Sequence, residues 1–360
     1  MFVREPQQTT CTTRLLLLIG LLLLFLLSIY DIEPALARHD SFQEVKTAKM
    51  NLAISSLKQD EEPLLMTTRL AGVPTVQAVL VRATDLSQLS PPSPDSSGIA
   101  YLPQFNALLI SDGEVNELPI FTGDNLFLTS LGGNLRDTLT TISFSDEPTD
   151  VAYNPANHHL FFTDDTGNQR VFEMNPGPDG DYDTADDIIT YFNTPAFGSM
   201  DPEGLTFDSS QGDLLLVDGF NEEVYEIDPG LNGIFDGVPP TGDDLVSHFD
   251  VTSFGITDPE GIEFNPVTGH LYILSSRDNV IAETKRDGTL IRYIGLAALD
   301  ILKPAGLAYA PARGQPTIKH LYIVSRGVDN DSDPDENDGM LYEISVPNIV
   351  PQLFFPVIRR

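Results

Sequence analysis

The sequence predicts an all-β fold, a β-propeller of four-stranded antiparallel blades. Two observations carry this. Short apolar segments alternate with period 2 and are punctuated by Gly, Pro, Asn and Asp, the pattern of antiparallel sheet. Five segments also repeat one plan. They open at Ser97-Gly98-Ile99-Ala100-Tyr101, Thr149-Asp150-Val151-Ala152-Tyr153, Glu203-Gly204-Leu205-Thr206-Phe207, Glu260-Gly261-Ile262-Glu263-Phe264 and Ala305-Gly306-Leu307-Ala308-Tyr309, at intervals of 45 to 57 residues. Four short strands in about 50 residues make a propeller blade, which hides its edges by radial packing.

Within each repeat the opening strand runs into a turn: Leu102-Pro103, Asn154-Pro155, Asp208-Ser209, Asn265-Pro266 or Ala310-Pro311. A second apolar strand follows, at 107–110, 160–162, 214–217, 271–274 and 321–324. The third reads apolar-aromatic-Glu-apolar, as in Val171-Phe172-Glu173-Met174, Val224-Tyr225-Glu226-Ile227 and Leu341-Tyr342-Glu343-Ile344. A fourth is visible at 188–192 and 290–294. The last repeat has only three clear strands. The apolar stretch 76–82 is expected to supply its missing outer strand and close the ring. That makes five blades over residues 73–347, with a sixth, poorly matching blade left open.

The flanks have other roles. Arg4 and Arg14 precede an apolar run from Leu15 to Ile29, and Ala35-Leu36-Ala37 offers small residues at a cleavage site. Residues 1–37 are expected to be a signal peptide cleaved after Ala37, with an uncleaved membrane anchor as the alternative. The mature chain then has no membrane span and lies outside the cytoplasm. Residues 38–72 are a spacer, and 348–360 form a short apolar tail. The single cysteine, Cys11, falls in the leader, so disulfides, a thiol nucleophile and Cys-based zinc are excluded from the mature protein. The chain carries 20 Lys+Arg against 53 Asp+Glu, a formal net charge of -33. Nucleic-acid backbones and anionic lipid are therefore excluded as partners reached through a basic face. With 41% apolar residues the charge does not signal disorder.

Asp201-Pro202-Glu203-Gly204-Leu205 and Asp258-Pro259-Glu260-Gly261-Ile262, each followed by strand, turn and strand, resemble the blade openings of extracytoplasmic propellers. The resemblance is to the SdiA-regulated and phytase-esterase-like families, within the wider group of NHL-repeat and gluconolactonase-like proteins. It covers residues 75–347. It is specific for fold and weak for activity, because one propeller fold hosts many functions.

Three Asp-rich insertions carry the clearest chemistry. The first holds Asp179, Asp181, Asp183, Asp186 and Asp187. The third holds Asp329, Asp331, Asp333, Asp335, Asn337 and Asp338, in an excess of about 15 residues between the second and third strands of the last repeat. Carboxylates two apart on a turning backbone can converge on one Ca2+, which takes six to eight oxygens in flexible geometry. Neither run completes an EF-hand, since Thr184 and Pro334 stand where Gly is required. The first resembles the Asp-Gly-x-x-x-Thr-x-Asp-Asp calcium segments of large secreted bacterial proteins. The alternative for both is a solvated acidic loop. The second insertion, with Asp236, Asp243 and Asp244, is weaker because Ile234 replaces an acid.

Glu203 and Glu260 open the innermost strands of two blades at the channel mouth. They could hold a metal or serve as acid and base. Alternatively they accept backbone amides of adjacent turns, the favoured reading for Asp-Pro-Glu-Gly. In the gluconolactonase-like family such carboxylates, with Asn, hold a channel metal, although the family's full ligand set is not recognisable here. His159, His270 and His320 share one repeat position and are read as a packing feature of the second strand. Nucleophile elbow, metalloprotease helix and phosphate-cradling loop are all missing. Two functions follow: a secreted calcium-binding propeller that takes up an unidentified ligand or extracellular partner, or a metal-dependent hydrolase of an ester, lactone or phosphoester.

Overall fold

The computed structural model describes residues 70, 72–113, 115, 121–328 and 337–347. The signal-peptide, spacer (apart from Leu70 and Gly72) and tail assignments, and Asp329, Asp331, Asp333 and Asp335, lie outside them.

Five four-stranded antiparallel sheets follow one another along the chain. Blade 1 comprises β3 (Ser96–Leu102), β4 (Ala107–Asp112), β5 (Leu126–Ser130) and β6 (Leu135–Leu139). Blade 2 comprises β7 (Asp150–Tyr153), β8 (Leu160–Asp164), β9 (Arg170–Asn175) and β10 (Ile188–Asn193). Blade 3 comprises β11 (Pro202–Asp208), β12 (Asp213–Asp218), β13 (Glu223–Asp228) and β14 (Leu245–Asp250). Blade 4 comprises β15 (Pro259–Asn265), β16 (His270–Ser275), β17 (Val280–Lys285) and β18 (Leu290–Gly295). Blade 5 comprises β19 (Pro304–Ala312), β20 (Gln315–Ser325) and β21 (Met340–Ser345), completed by β2 (Val79–Asp85) from the start of the domain. The chain is a five-bladed β-propeller, and each opening predicted from the repeat is an innermost strand.

The closure holds, with one refinement. The expected strand 76–82 is two strands. β1 (Thr75–Gln77) adds in parallel to the outer edge of β18 in blade 4. β2 then pairs antiparallel with β21, from Val79 opposite Ser345 to Asp85 opposite Met340. Ala78, 5% exposed, is the buried pivot between them.

The core is divided five ways. One apolar cluster fills each interface between neighbouring blades, including Ile99, Leu108 and Ile110 of blade 1 against Tyr322 and Val324 of blade 5. This is why second strands read as continuous apolar runs: both of their faces are buried. The innermost strands also touch in cyclic order, β19 returning onto β3. At the repeat glycine this approach leaves no room for a side chain. A Cβ on Gly204 would lie 2.7 Å from the Gly261 Cα, and one on Gly306 would lie 2.8 Å from the Gly98 Cα. Blade 2 carries Asp150 at this position. Its carboxylate accepts the amides of Ile99 at 2.9 Å and Val151 at 2.8 Å on Oδ1, and that of Leu205 at 2.8 Å on Oδ2. One buried side chain thus ties three inner strands together.

The histidines serve structure, as read. His159, His270 and His320 place Nδ1 at 2.6, 2.7 and 2.7 Å from Glu173, Glu283 and Glu343, each on the third strand of its blade. In blade 3 the register puts Asp213 where blades 2, 4 and 5 have His. The cation comes instead from Arg286 in the β17–β18 hairpin, which pairs with Asp208, Asp213 and Glu226.

Candidate functional site

At the channel end where inner strands begin, Asp112 and Asp218 cap the second strands of blades 1 and 3, both fully buried. Asp218 Oδ2 accepts the Ser199 hydroxyl at 2.7 Å and the amides of Met200 at 2.7 Å and Asp201 at 3.0 Å. Asp112 Oδ2 likewise accepts the Ser93 hydroxyl at 2.5 Å and the Asp95 amide at 3.0 Å. These bonds fix the loops entering the inner strands. The ladder then slips at the start of four of the five, between Ser96 and Gly98, Pro202 and Leu205, Pro259 and Gly261, and Pro304 and Leu307. Irregularities of this kind re-aim a side chain. Here they turn Glu203 and Glu260 into the mouth.

The two glutamates meet there, but not as the favoured reading had it. Among the described residues neither carboxylate accepts a backbone amide; that role belongs to Asp150, one position on in the repeat. They face Arg326 instead. Its Nη2 lies 3.4 Å from Glu203 Oε2 and its Nη1 lies 3.5 Å from Glu260 Oε2. The glutamate side chains are only 12% and 14% exposed. Burial, then Glu260, Asp165 and Asp201, push Glu203 well above the usual carboxylate range against the pull of Arg326. Burial pushes Glu260 up to about 7, with Asp258 and Asp201 acting in the same sense and Arg326 and Lys303 opposing. Burial also works against the Arg326 charge, but Glu260, Glu203, Asp95 and Asp165 outweigh it and hold the guanidinium ionised.

Beside this triad, Asp165, Asp201 and Glu203 bring ligand oxygens within 4.8 Å of one another. Oxygen donors alone, on partly buried carboxylates, suit a hard divalent cation such as Ca2+. Asp165 and Arg326 occupy the same repeat position, three residues past the apolar residue that faces the inner strand, where other blades have Gly113, Gly219 and Ser276. Two charges replacing Gly or Ser at one phase are a signal the sequence carries outside the opening motif. Asp201 and Lys303 belong to another such position, which reads Asp95, Glu147, Asp201, Asp258 and Lys303 around the ring. At these two positions blades 1 to 4 present acids and blade 5 presents Lys303 and Arg326, while Arg277 of blade 4 lies near Asp258.

The Asp-rich insertions divide between the two ends. The first joins β9 to β10 at the far end, anchored by the Tyr182 hydroxyl on the His158 carbonyl at 2.6 Å. Its acids turn on their own backbone. Asp179 accepts the Asp181 amide at 3.0 Å, Asp187 the Thr184 amide at 3.0 Å, and Asp186 the Thr184 hydroxyl at 2.8 Å. Burial raises Asp183, whereas the Thr184 hydroxyl lowers Asp186. Among the described residues these acids do not form one of the groups whose oxygens converge. The second insertion, read as the weaker, does converge: Asp236, Asp243 and Asp244 bring their oxygens within 4.8 Å of one another. Its acids come from a chain that folds back on itself, so spacing along the sequence understates them. Burial pushes Asp244 up to about 6, though the Gly237 and Asp236 amides pull the other way. Of the third insertion, Asn337 donates to the Ser87 carbonyl at 3.4 Å and Asp338 accepts the Val328 amide at 2.9 Å. β20, which precedes that insertion, ends at Ser325 at the Glu203 end.

No protein-family model and no curated protein matches the sequence. Solved structures share its architecture. Glutaminyl cyclase of Myxococcus xanthus superposes with a TM-score of 0.50 at 12% identity, over 76% of this chain and 98% of that one. The calcium-binding protein regucalcin of Agrobacterium tumefaciens gives 0.46 at 14% identity, over 76% and 97%. A protein assigned as a gluconolactonase gives 0.42 at 15% identity, over 79% and 97%. The likeness at these identities is one of fold, a β-propeller. It does not extend to the narrower SdiA-regulated or phytase-esterase-like resemblance. Among the described residues no helix is long and apolar enough to cross a membrane.

Proposed function

We propose that the protein is a secreted propeller that binds a divalent cation, Ca2+ by the chemistry of its donors, at the acidic channel mouth, and takes up its ligand there. The observation that carries this is the convergence of Asp165, Asp201 and Glu203 beside Glu260 and Arg326. Carboxylates gathered in a poorly solvated mouth repel one another, and a cation relieves that repulsion. Arg326 and Lys303 on the blade 5 side then offer a seat for an anionic group bridged to the metal. The test is calorimetric titration of Ca2+ into the wild type and the Asp201→Asn/Glu203→Gln variant. The wild type is expected to bind one more ion than the variant. Equal stoichiometry and affinity in the two would remove the site.

A hydrolase reading is favoured by one observation, the placement of Glu203 and Glu260 as two buried carboxylates facing one guanidinium at the mouth, where burial raises both. Such a pair can serve as general acid and base. Turnover of an ester or lactone abolished by Glu260→Gln, with cation binding retained, would establish it.

A further inference from the structure

The inner strands end as regularly as they begin. Tyr101, Tyr153, Phe207, Phe264 and Tyr309 share one place in the repeat. At the far end of the channel they line a cavity of about 110 Å3 together with Thr206 and Glu263. Where other blades carry Ala100, Ala152, Thr206 and Ala308, blade 4 has Glu263.

That carboxylate is held in place. Its Oε2 accepts the Thr206 hydroxyl at 2.9 Å and its Oε1 accepts the Tyr309 amide at 2.8 Å. Each oxygen keeps further acceptor capacity. Among the described residues no Lys, Arg or His forms an ion pair with it. An acid in aromatic surroundings with only neutral donors and no counter-ion is costly to ionise, and burial pushes it up to about 7. A cation entering the cavity would remove that cost.

The rings already attract one. The Lys319 ammonium lies 5.5 Å from the centre of the Tyr101 ring and 5.9 Å from that of Tyr309. Aromatic faces carry negative potential and draw ammonium ions, most strongly where water is scarce. Carboxylate and ring faces therefore select the same charge. The volume suits a head group bearing a few methyls and is small for a folded peptide segment.

We propose that this far-end cavity binds a small organic ammonium ion, with Glu263 as its counter-ion and the faces of Tyr101 and Tyr309 as its walls, and that Lys319 is its built-in competitor. The site stands apart from the metal mouth, and chelator in the assay keeps the two readings separate.

The probe is tetramethylammonium, followed by broadening of its methyl proton resonance on titration with protein. Neutral tert-butanol, of similar shape, serves as the control. The wild type is expected to bind the cation and not the alcohol. Lys319→Met, at an exposed position, should bind it about three- to tenfold more tightly, because the competing ammonium is gone. Glu263→Gln should bind it at least about tenfold more weakly, with its melting curve confirming the fold. Absence of binding by Lys319→Met, equal binding of tert-butanol, or undiminished binding by Glu263→Gln would each overturn the proposal.

Discussion

Two buried carboxylates, two places apart in the repeat, show how differently the inner strands hold an acid. Asp150 is 1% exposed and satisfied by three amides, so its value is structural. Asp150→Ala would leave three buried donors without their acceptor, at a cost of about 3 to 5 kcal/mol. Asp150→Asn keeps one acceptor oxygen and should cost less, a ranking that urea denaturation of the two variants would check. Glu263 accepts fewer amides, and the fold resists its ionisation. Its ordinary value of 4.5 is lifted to about 7, so the folded state holds a proton that the unfolded state has released. Stability from this group is therefore full below pH 4.5 and is lost as pH rises toward 7. Asp150, which faces it and is also raised, acts in the same direction. The lift of Glu263 corresponds to roughly 3 kcal/mol. Glu263→Gln should flatten the decline in unfolding free energy between pH 5 and pH 8 by up to that amount. An identical slope in the variant would show that Glu263 does not titrate in this window.

Among the elements, β1 and β2 do two jobs with eleven residues. β2 covers the edge of β21 and closes the ring, and β1 covers the edge of β18. A chain starting at residue 86 would leave both edges bare, each a template for intermolecular pairing. It is expected to aggregate, or to melt at least about 10 °C below a chain starting at residue 73. Equal melting temperatures would mean that the blades close without a clasp. The clasp was legible in the sequence because blade 5 is visibly one strand short. Its split into two strands was not, because Val76 and Val79 both read as apolar strand residues and only the ring geometry sends them to different blades. The same holds for the site. Glu203 and Glu260 are visible as one motif used twice. Arg326 meets them only because the ring aims the mouth ends of blades 3, 4 and 5 at one channel, and it lies 123 residues beyond Glu203. Asp243 and Asp244 were underrated for a similar reason, since a loop that folds back assembles ligands by contact rather than by spacing.

For the whole molecule the governing quantity is a net charge of -33, distributed so that blades 1 to 4 turn acids toward the mouth. Self-repulsion on this scale destabilises the compact state, and salt relieves it without any specific site. Sodium chloride should therefore raise the melting temperature gradually, and equally in the wild type and in Asp201→Asn/Glu203→Gln. Calcium at constant ionic strength should behave differently. At about 100 times its dissociation constant a cation bound only by the folded state adds roughly 2.7 kcal/mol, some 5 to 10 °C for a domain of this length. That rise should saturate and should shrink in Asp201→Asn/Glu203→Gln. If Asp236, Asp243 and Asp244 hold a second ion, Asp243→Asn should remove a separate share, additive with the first because the two clusters do not touch. A rise that never saturates and is the same with magnesium, or that survives when Asp201→Asn, Glu203→Gln and Asp243→Asn are combined, would mean that calcium acts on this protein only as a counter-ion.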